Sequence, residues 1–236
     1  MDAIFHESEV ISNDEAGAGV RHLIIRPPSH LAYEAGQFFM LRLMDDKGST
    51  VERSYSVANY DESGQMEFVI RIEEHGQMTS LIDKLKTGDK IDMKGPFGRF
   101  GFGALPEQYD KLILIAGGVG ISPLRSMIQK SFQRADQFPM QLFYGYRTLK
   151  DYLFQEELEK HAIKDRFSIV TAISEGAGAP DSENIGYISD FLEGQVFEPD
   201  ATTHVCICGP PPMVKATRAK LFELGFERRN VHVEAW

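Results

Sequence analysis

At Lys111 the hydrophobic pattern of the chain changes period, and that change limits the fold more than any other feature. The stretch "KLILIAGG", residues 111–118, is a continuous apolar run, the mark of a strand buried on both faces. Behind it, "SPLRSMIQKSF" puts Ser122 where an N-cap belongs and Pro123 at the first helical position. Strand and helix then alternate: strand "MQLFYGY", helix "LFQEELEKH", strand "FSIVTAIS", a short helix near "ISDFLEG", strand "HVCIC", helix "PPMVKATRAKLFELG" and a last strand "NVHVEA". This alternation predicts an α/β domain over residues 110–236, built on a parallel sheet with right-handed crossovers.

The first hundred residues follow a different rule. Short strand candidates ("AIFHESEVIS", "VRHLIIRP", "QFFMLRLM", "RSYSVAN", "MEFVIRIE", "KIDMKG") are broken by the turn signals "EAGAG", "DDKGS" and "DESGQ". One short helix interrupts them, because Leu81, Ile82 and Leu85 of "MTSLIDKLKTGD" share a helical face. Residues 1–104 are therefore expected to form a closed or nearly closed antiparallel β-barrel, with "GFGALPEQYDK" as the linker.

A chain of 236 residues can bury the cores of two such domains. Its formal charge of −10 argues against nucleic acid and anionic membrane surfaces, which attract basic faces, and leaves a basic protein partner open. "MDAIFHESEV" lacks the basic start and apolar run of a signal peptide, and no apolar stretch is long enough to span a bilayer. A cytoplasmic protein is expected. Oligomeric state leaves no trace in the sequence. Cys206 and Cys208 lie two apart on a strand, roughly 6.5–7 Å, at the limit for a disulfide, so both are expected as free thiols. No metal site is expected, and two cysteines cannot supply the four ligands of a typical iron–sulfur cluster.

In open α/β sheets, ligands bind beyond the C-terminal strand ends, where crossovers diverge. Two segments fall there. The glycines of "AGGVGISP", residues 116–123, let backbone approach a pyrophosphate at a helix N-terminus. The third glycine of the dinucleotide fingerprint is missing, so a plain strand-to-helix turn accounts for the segment equally well. "CGPPPM", residues 208–213, closes a central strand in a stiff, donor-poor turn that suits something packing against it. In the first half, "VERSYSVANY" brings together Arg53 for a phosphate, Tyr55 for a flat ring and Ser56 for a hydrogen bond. The same residues also suit a half-wet surface strand.

Taken in order, "RSYS", "GQMTS", "GPFG", "AGGVGISPLRSM", "CGPPPM" and "VEAW" resemble the flavin and nicotinamide motifs of the plant-type ferredoxin–NADP⁺ reductase superfamily, over nearly the whole chain. The resemblance implies an FAD-binding barrel followed by a nicotinamide-binding α/β domain. It implies that Arg53 pairs with the flavin pyrophosphate, that Ser54 and Tyr55 contact the flavin, with Tyr55 on the isoalloxazine ring, and that Ser56 sits near N5. Ile70 and Arg71 match the next strand, and Gly76, Gln77, Met78 and Thr79 match the segment that wraps a diphosphate, which points to FAD over FMN. On the nicotinamide side it implies Gly117, Gly118, Val119, Gly120, Ser122, Pro123, Gly209, Pro210, Pro211 and Met213. Ser56, Cys208, Glu234 and Trp236 form the implied catalytic group, with Trp236 as a movable aromatic cover.

The implied reaction is hydride transfer from NADH or NADPH to FAD, followed by release of electrons to a separate acceptor such as a ferredoxin or an oxygenase component. Asp151 and Glu175 stand where an acid suits the free ribose diol of NADH. Arg147 and Lys150 pull toward NADPH; NADH is the expected donor. Two alternatives stay open: a reductase that releases free reduced flavin, and a non-catalytic module that keeps the fold.

Overall fold

The structure, a computed structural model, describes residues 4–134, 138–163, 166–176 and 184–234. Six strands make the first sheet: β1 (His6–Gly17), β2 (Val20–Arg26), β3 (Phe38–Met44), β4 (Thr50–Ser56), β5 (Met66–Arg71) and β6 (Lys90–Phe97). They run antiparallel in the order β4-β3-β6-β1-β2-β5. Alternate residues point inward, as a half-buried sheet requires. Leu23 and Ile25, Phe39 and Leu41, and Ile91 and Met93 meet in one apolar core. Helix α1 (Gln77–Ile82) adds Met78 and Ile82 to that core. The hydrogen-bonded ladder ends at β4 and β5; just past β4, the Ala58 N–H donates to the Glu67 carbonyl at 2.7 Å and draws the two edges together. The turn signal "EAGAG" holds its turn only at its end, because β1 stays paired through Gly17, with register irregularities between Val10 and Ser12 and between Glu15 and Gly17. Only Ala18 and Gly19 turn the chain, Gly19 at a φ of 65°.

The second sheet is parallel and comprises β7 (Lys111–Gly117), β8 (Met140–Tyr146), β9 (Phe167–Ile173), β10 (Thr203–Cys208) and β11 (Val231–Glu234), in the order β11-β10-β7-β8-β9. Residues 112–117 are all buried because helices cover both faces. Helices α2 (Ile121–Gln133) and α3 (Gln155–Ala162) pack on the face carrying Leu112 and Leu114. Helix α4 (Pro211–Glu223) packs on the face carrying Ile113 and Ile115. From β7 the chain moves outward through β8 and β9, then returns to β10 on the other side of β7. The sheet's switch point therefore lies at the C-terminal ends of β7 and β10.

Ser122 is not the N-cap of α2. A 3₁₀ turn over Gly118–Gly120 runs straight into the helix, Gly120 occupies the cap, and the Ser122 hydroxyl donates to the Val119 carbonyl at 2.8 Å. Pro123 is still tolerated, because it falls in the first turn, where its missing N–H has no helical partner. The two lobes share apolar packing: Val20, Ala35, Ala58, Val69 and Phe100 of the first sit in one core with α2. Above that core the Gly36 N–H donates to the Ser126 hydroxyl at 2.9 Å.

Candidate functional site

A cleft of about 1300 Å³ lies between the lobes, with walls from both. Single small-molecule pockets hold about 300–1,000 Å³, so this one has room for two ligands side by side.

On the barrel side the wall is β4. As the last strand of its sheet it has one ladder partner, which leaves Arg53, Ser54, Tyr55 and Ser56 facing the cleft. Burial pushes the Tyr55 phenol up to about 12, against a smaller opposing pull from Arg53, so the ring is neutral. The Arg53 guanidinium is exposed at the rim and donates to the Glu52 carbonyl at 2.7 Å. Val69, Ile70 and Arg71 of β5 continue the wall, and Gly76, Gln77, Met78 and Thr79 close its end. The Thr79 hydroxyl accepts from the Glu73 N–H at 3.2 Å and donates to the Gly76 carbonyl at 3.3 Å, which fixes this turn. A Cβ at Gly76 would stand 2.3 Å from that hydroxyl oxygen.

On the α/β side, Gly117, Gly118, Val119 and Ser122 line the cleft opposite Pro210, Pro211 and Met213. Gly118 has a φ of 53°, which favours glycine, and Tyr144 donates to its carbonyl from beneath at 3.1 Å. The two strand-end turns interlock. A Cβ at Gly120 would lie 2.3 Å from the Cys208 carbonyl oxygen, and one at Gly209 would lie 3.0 Å from the Gly117 nitrogen. Gly120 and Gly209 thus build the wall from behind without lining it, and Pro123, buried in α2, does not line it either. Arg147 lines the outer end, where its Nε donates to Glu175 at 3.0 Å.

At the middle of the cleft the two lobes touch through one hydrogen bond: the Ser56 hydroxyl donates to Glu234 Oε1 at 3.3 Å. Burial raises the Glu234 carboxyl to about 7, partly opposed by that bond. Its Oε2 is buried with no hydrogen-bond partner among the described residues. Cys208 is in register with Glu234 on the neighbouring strand, and burial holds its thiol well above the usual range.

Two further expected site residues, Cys208 and Asp151, stand elsewhere. Cys208 is wholly buried and does not line the cleft, because its side chain faces the α2 core. Asp151 does not line it either. Its carboxylate accepts from the Thr148 N–H at 3.2 Å and hydroxyl at 2.9 Å in a capping box, and from Arg71 across the lobes at 3.4 Å. A carboxylate so fully committed is not available to a ribose. Trp236 lies outside the described residues. The sequence reading also missed Tyr146, Ser174, Tyr187, Ser189 and Asp190, which line the outer end. The spacing "YISD" was the available signal, since the Asp190 carboxylate accepts from the Tyr187 N–H at 3.2 Å there. Cys206 and Cys208 are free thiols. No helix among the described residues is long and apolar enough to cross a membrane.

The family model described as an oxidoreductase FAD-binding domain matches residues 3–102, and the oxidoreductase NAD-binding domain matches residues 114–219. NADH-cytochrome b5 reductase 2 of Scheffersomyces stipitis is 32% identical over 244 residues, spanning 94% of this chain and 81% of its own. The toluate 1,2-dioxygenase electron transfer component of Pseudomonas putida is 30% identical over 210 residues, spanning 87% of this chain and 59% of its own. Among solved structures, the ferredoxin reductase in carbazole 1,9a-dioxygenase matches with a TM-score of 0.85 at 26% identity, over 100% of this chain and 70% of that one.

Proposed function

Because the chain belongs to the ferredoxin reductase-like superfamily of FAD- and NAD-binding oxidoreductases, we propose that it draws electrons from NADH and passes them singly to a separate protein, a ferredoxin or an oxygenase component. The observation that carries this reading is the single cleft shared by the barrel's edge strand and the switch point of the parallel sheet.

The residues present suit FAD. Tyr55 offers a flat neutral ring, Arg53 a fork of donors for a diphosphate, and the turn at Gly76 a close backbone approach. The orphan oxygen of Glu234 calls for a polar group beside it, since a buried polar atom left unpaired is costly. When bound, FAD supplies the redox chemistry, taking a hydride and returning electrons one at a time.

The protein's part is placement and proton control. Arg53 and the segment 76–79 hold the diphosphate end, and Tyr55 covers the ring. Gly117, Gly118 and Val119 let a nicotinamide nucleotide lie close to the backbone, and the exposed ring of Tyr187 gives its base a stacking face. Ser56 and Glu234 meet where the two ligands would abut, and a carboxyl near 7 can hold or release a proton at neutral pH. NADH is favoured over NADPH because Glu175 neutralises Arg147 and would repel a 2′-phosphate.

The purified protein is expected to be yellow, to carry one FAD per chain, and to reduce ferricyanide with NADH. A colourless preparation that reduces added flavin would instead favour a reductase that releases its flavin.

A further inference from the structure

We propose that Arg125 is a positioning residue, a buried guanidinium that clasps the barrel to α2 and so sets where the turn at Gly117–Gly120 stands relative to Ser56; this rests on the function proposed above. Arg125 lies on α2, one helical turn beyond Ile121, and its side chain is 7% exposed. Its Nη1 donates to the Ala58 carbonyl at 3.0 Å and to Glu67 Oε2 at 2.7 Å. Both acceptors belong to the barrel, and Ala58 is two residues past Ser56 on the same segment. Its Nε and Nη2 donate to Glu157 Oε2 of α3 at 2.9 and 2.7 Å. One side chain therefore ties the strand that carries Ser56 to the helix that begins at the cleft.

The surroundings are built to hold that guanidinium. Phe154 adopts a φ of 59°, the left-handed region that a non-glycine residue rarely occupies, and its ring lies under Arg125 at 4.0 Å. The same ring meets His22 edge-on at 5.6 Å, and His22 shares Glu67 Oε2 with Arg125 at 2.9 Å. Gln129 holds the other oxygen of Glu157 at 2.9 Å. A buried ion network of this kind adds little net stability over apolar side chains of similar volume. What it does add is direction: three acceptors on three elements accept one planar fork only when the lobes are correctly docked. The lobes' shared apolar core resists separation but does not specify register to a fraction of an ångström. Hydride transfer needs that register, since a misplacement of about 1 Å can cost about 100-fold.

The test uses FAD-loaded protein and anaerobic stopped-flow reduction by NADH, and by NADH deuterated at C4, at a temperature below each variant's unfolding transition. Arg125→Met is expected to keep its flavin spectrum yet slow reduction roughly 10- to 100-fold, with a larger isotope effect. Arg125→Lys should recover part of the rate. Glu157→Gln, which loosens only the bond inside the α/β lobe, should stay within about threefold of wild type, less than a charged hydrogen bond across the lobes is worth. Should Arg125→Met not fold, Glu67→Gln carries the comparison, with a slowing that exceeds that of Glu157→Gln. An unchanged rate in Arg125→Met, or equal slowing by Glu157→Gln, would mean the cluster only stabilises the fold and would overturn the inference. Wild-type protein that NADH does not reduce would overturn both the inference and the function it rests on.

Discussion

Replacing Glu234 with glutamine is expected to slow NADH-driven reduction of the flavin about 100-fold, the low end of what a positioned acid or base contributes. Glutamine keeps the shape of the side chain and can still accept the hydrogen bond from Ser56, but it cannot give up a proton. Burial holds the Glu234 carboxyl near 7, and its Oε2 is a buried atom with no partner among the described residues. That oxygen is best satisfied as a protonated hydroxyl facing the cleft. The wild-type rate should therefore fall as pH rises through about 7, and the glutamine variant should be flat across that range. Wild-type stability should fall over the same range. The folded carboxyl titrates above its unfolded value, so its contribution is complete below about 4.5 and is lost as pH rises through about 7. At pH 8 the variant should be more stable by about 1–2 kcal/mol, allowing for partial solvent screening. Thermal melts at pH 5 and pH 8 check this: the gain should appear at pH 8 and shrink at pH 5. A pH-independent wild-type rate would remove Glu234 from proton control.

Reversing the charge at Glu175 should have the next largest effect. Arg147 is the cation at the outer end of the cleft, and Glu175 is its 3.0 Å partner. Glu175→Arg removes the repelling carboxylate, releases Arg147 and adds a second cation for a 2′-phosphate. One charged hydrogen bond is worth about 1.5–3 kcal/mol, and each 1.4 kcal/mol is tenfold. Both side chains are more than half exposed, so solvent and salt trim the gain. The ratio of kcat/KM for NADPH over NADH should rise about 30- to 100-fold at low salt, and less at high salt. An unchanged ratio would mean that the 2′ position lies away from Arg147.

Local chemistry was readable in the sequence wherever a pattern repeats within one element. The apolar run at 111–118 gave a doubly covered strand because burial on both faces forbids polar residues in it. The barrel strands were readable by period, but their order was not, since pairing β1 with β6 or β3 with β6 depends on contacts far apart in the chain. Ser122 misled because it looks like an N-cap; the glycines before it form a 3₁₀ turn that starts the helix sooner. Asp151 misled for a deeper reason. Its distance from β8 suited a ribose contact, but its partners are Thr148, three residues back, and Arg71, on the other lobe. Tyr187 and Ser174 sit in loops without periodicity, where a sequence gives little to count. The Ser56–Glu234 contact joins residues 178 apart, and only the docked lobes reveal it.

The most direct measurement is an anaerobic titration of the purified yellow protein with NADH, and separately with NADPH, following bleaching of the flavin absorbance. One equivalent of NADH is expected to bleach the bound FAD fully and rapidly, with NADPH much slower. A flavin that stays oxidised with NADH present, or a protein that holds no flavin, would mean that the cleft between β4 and the switch point serves some other purpose.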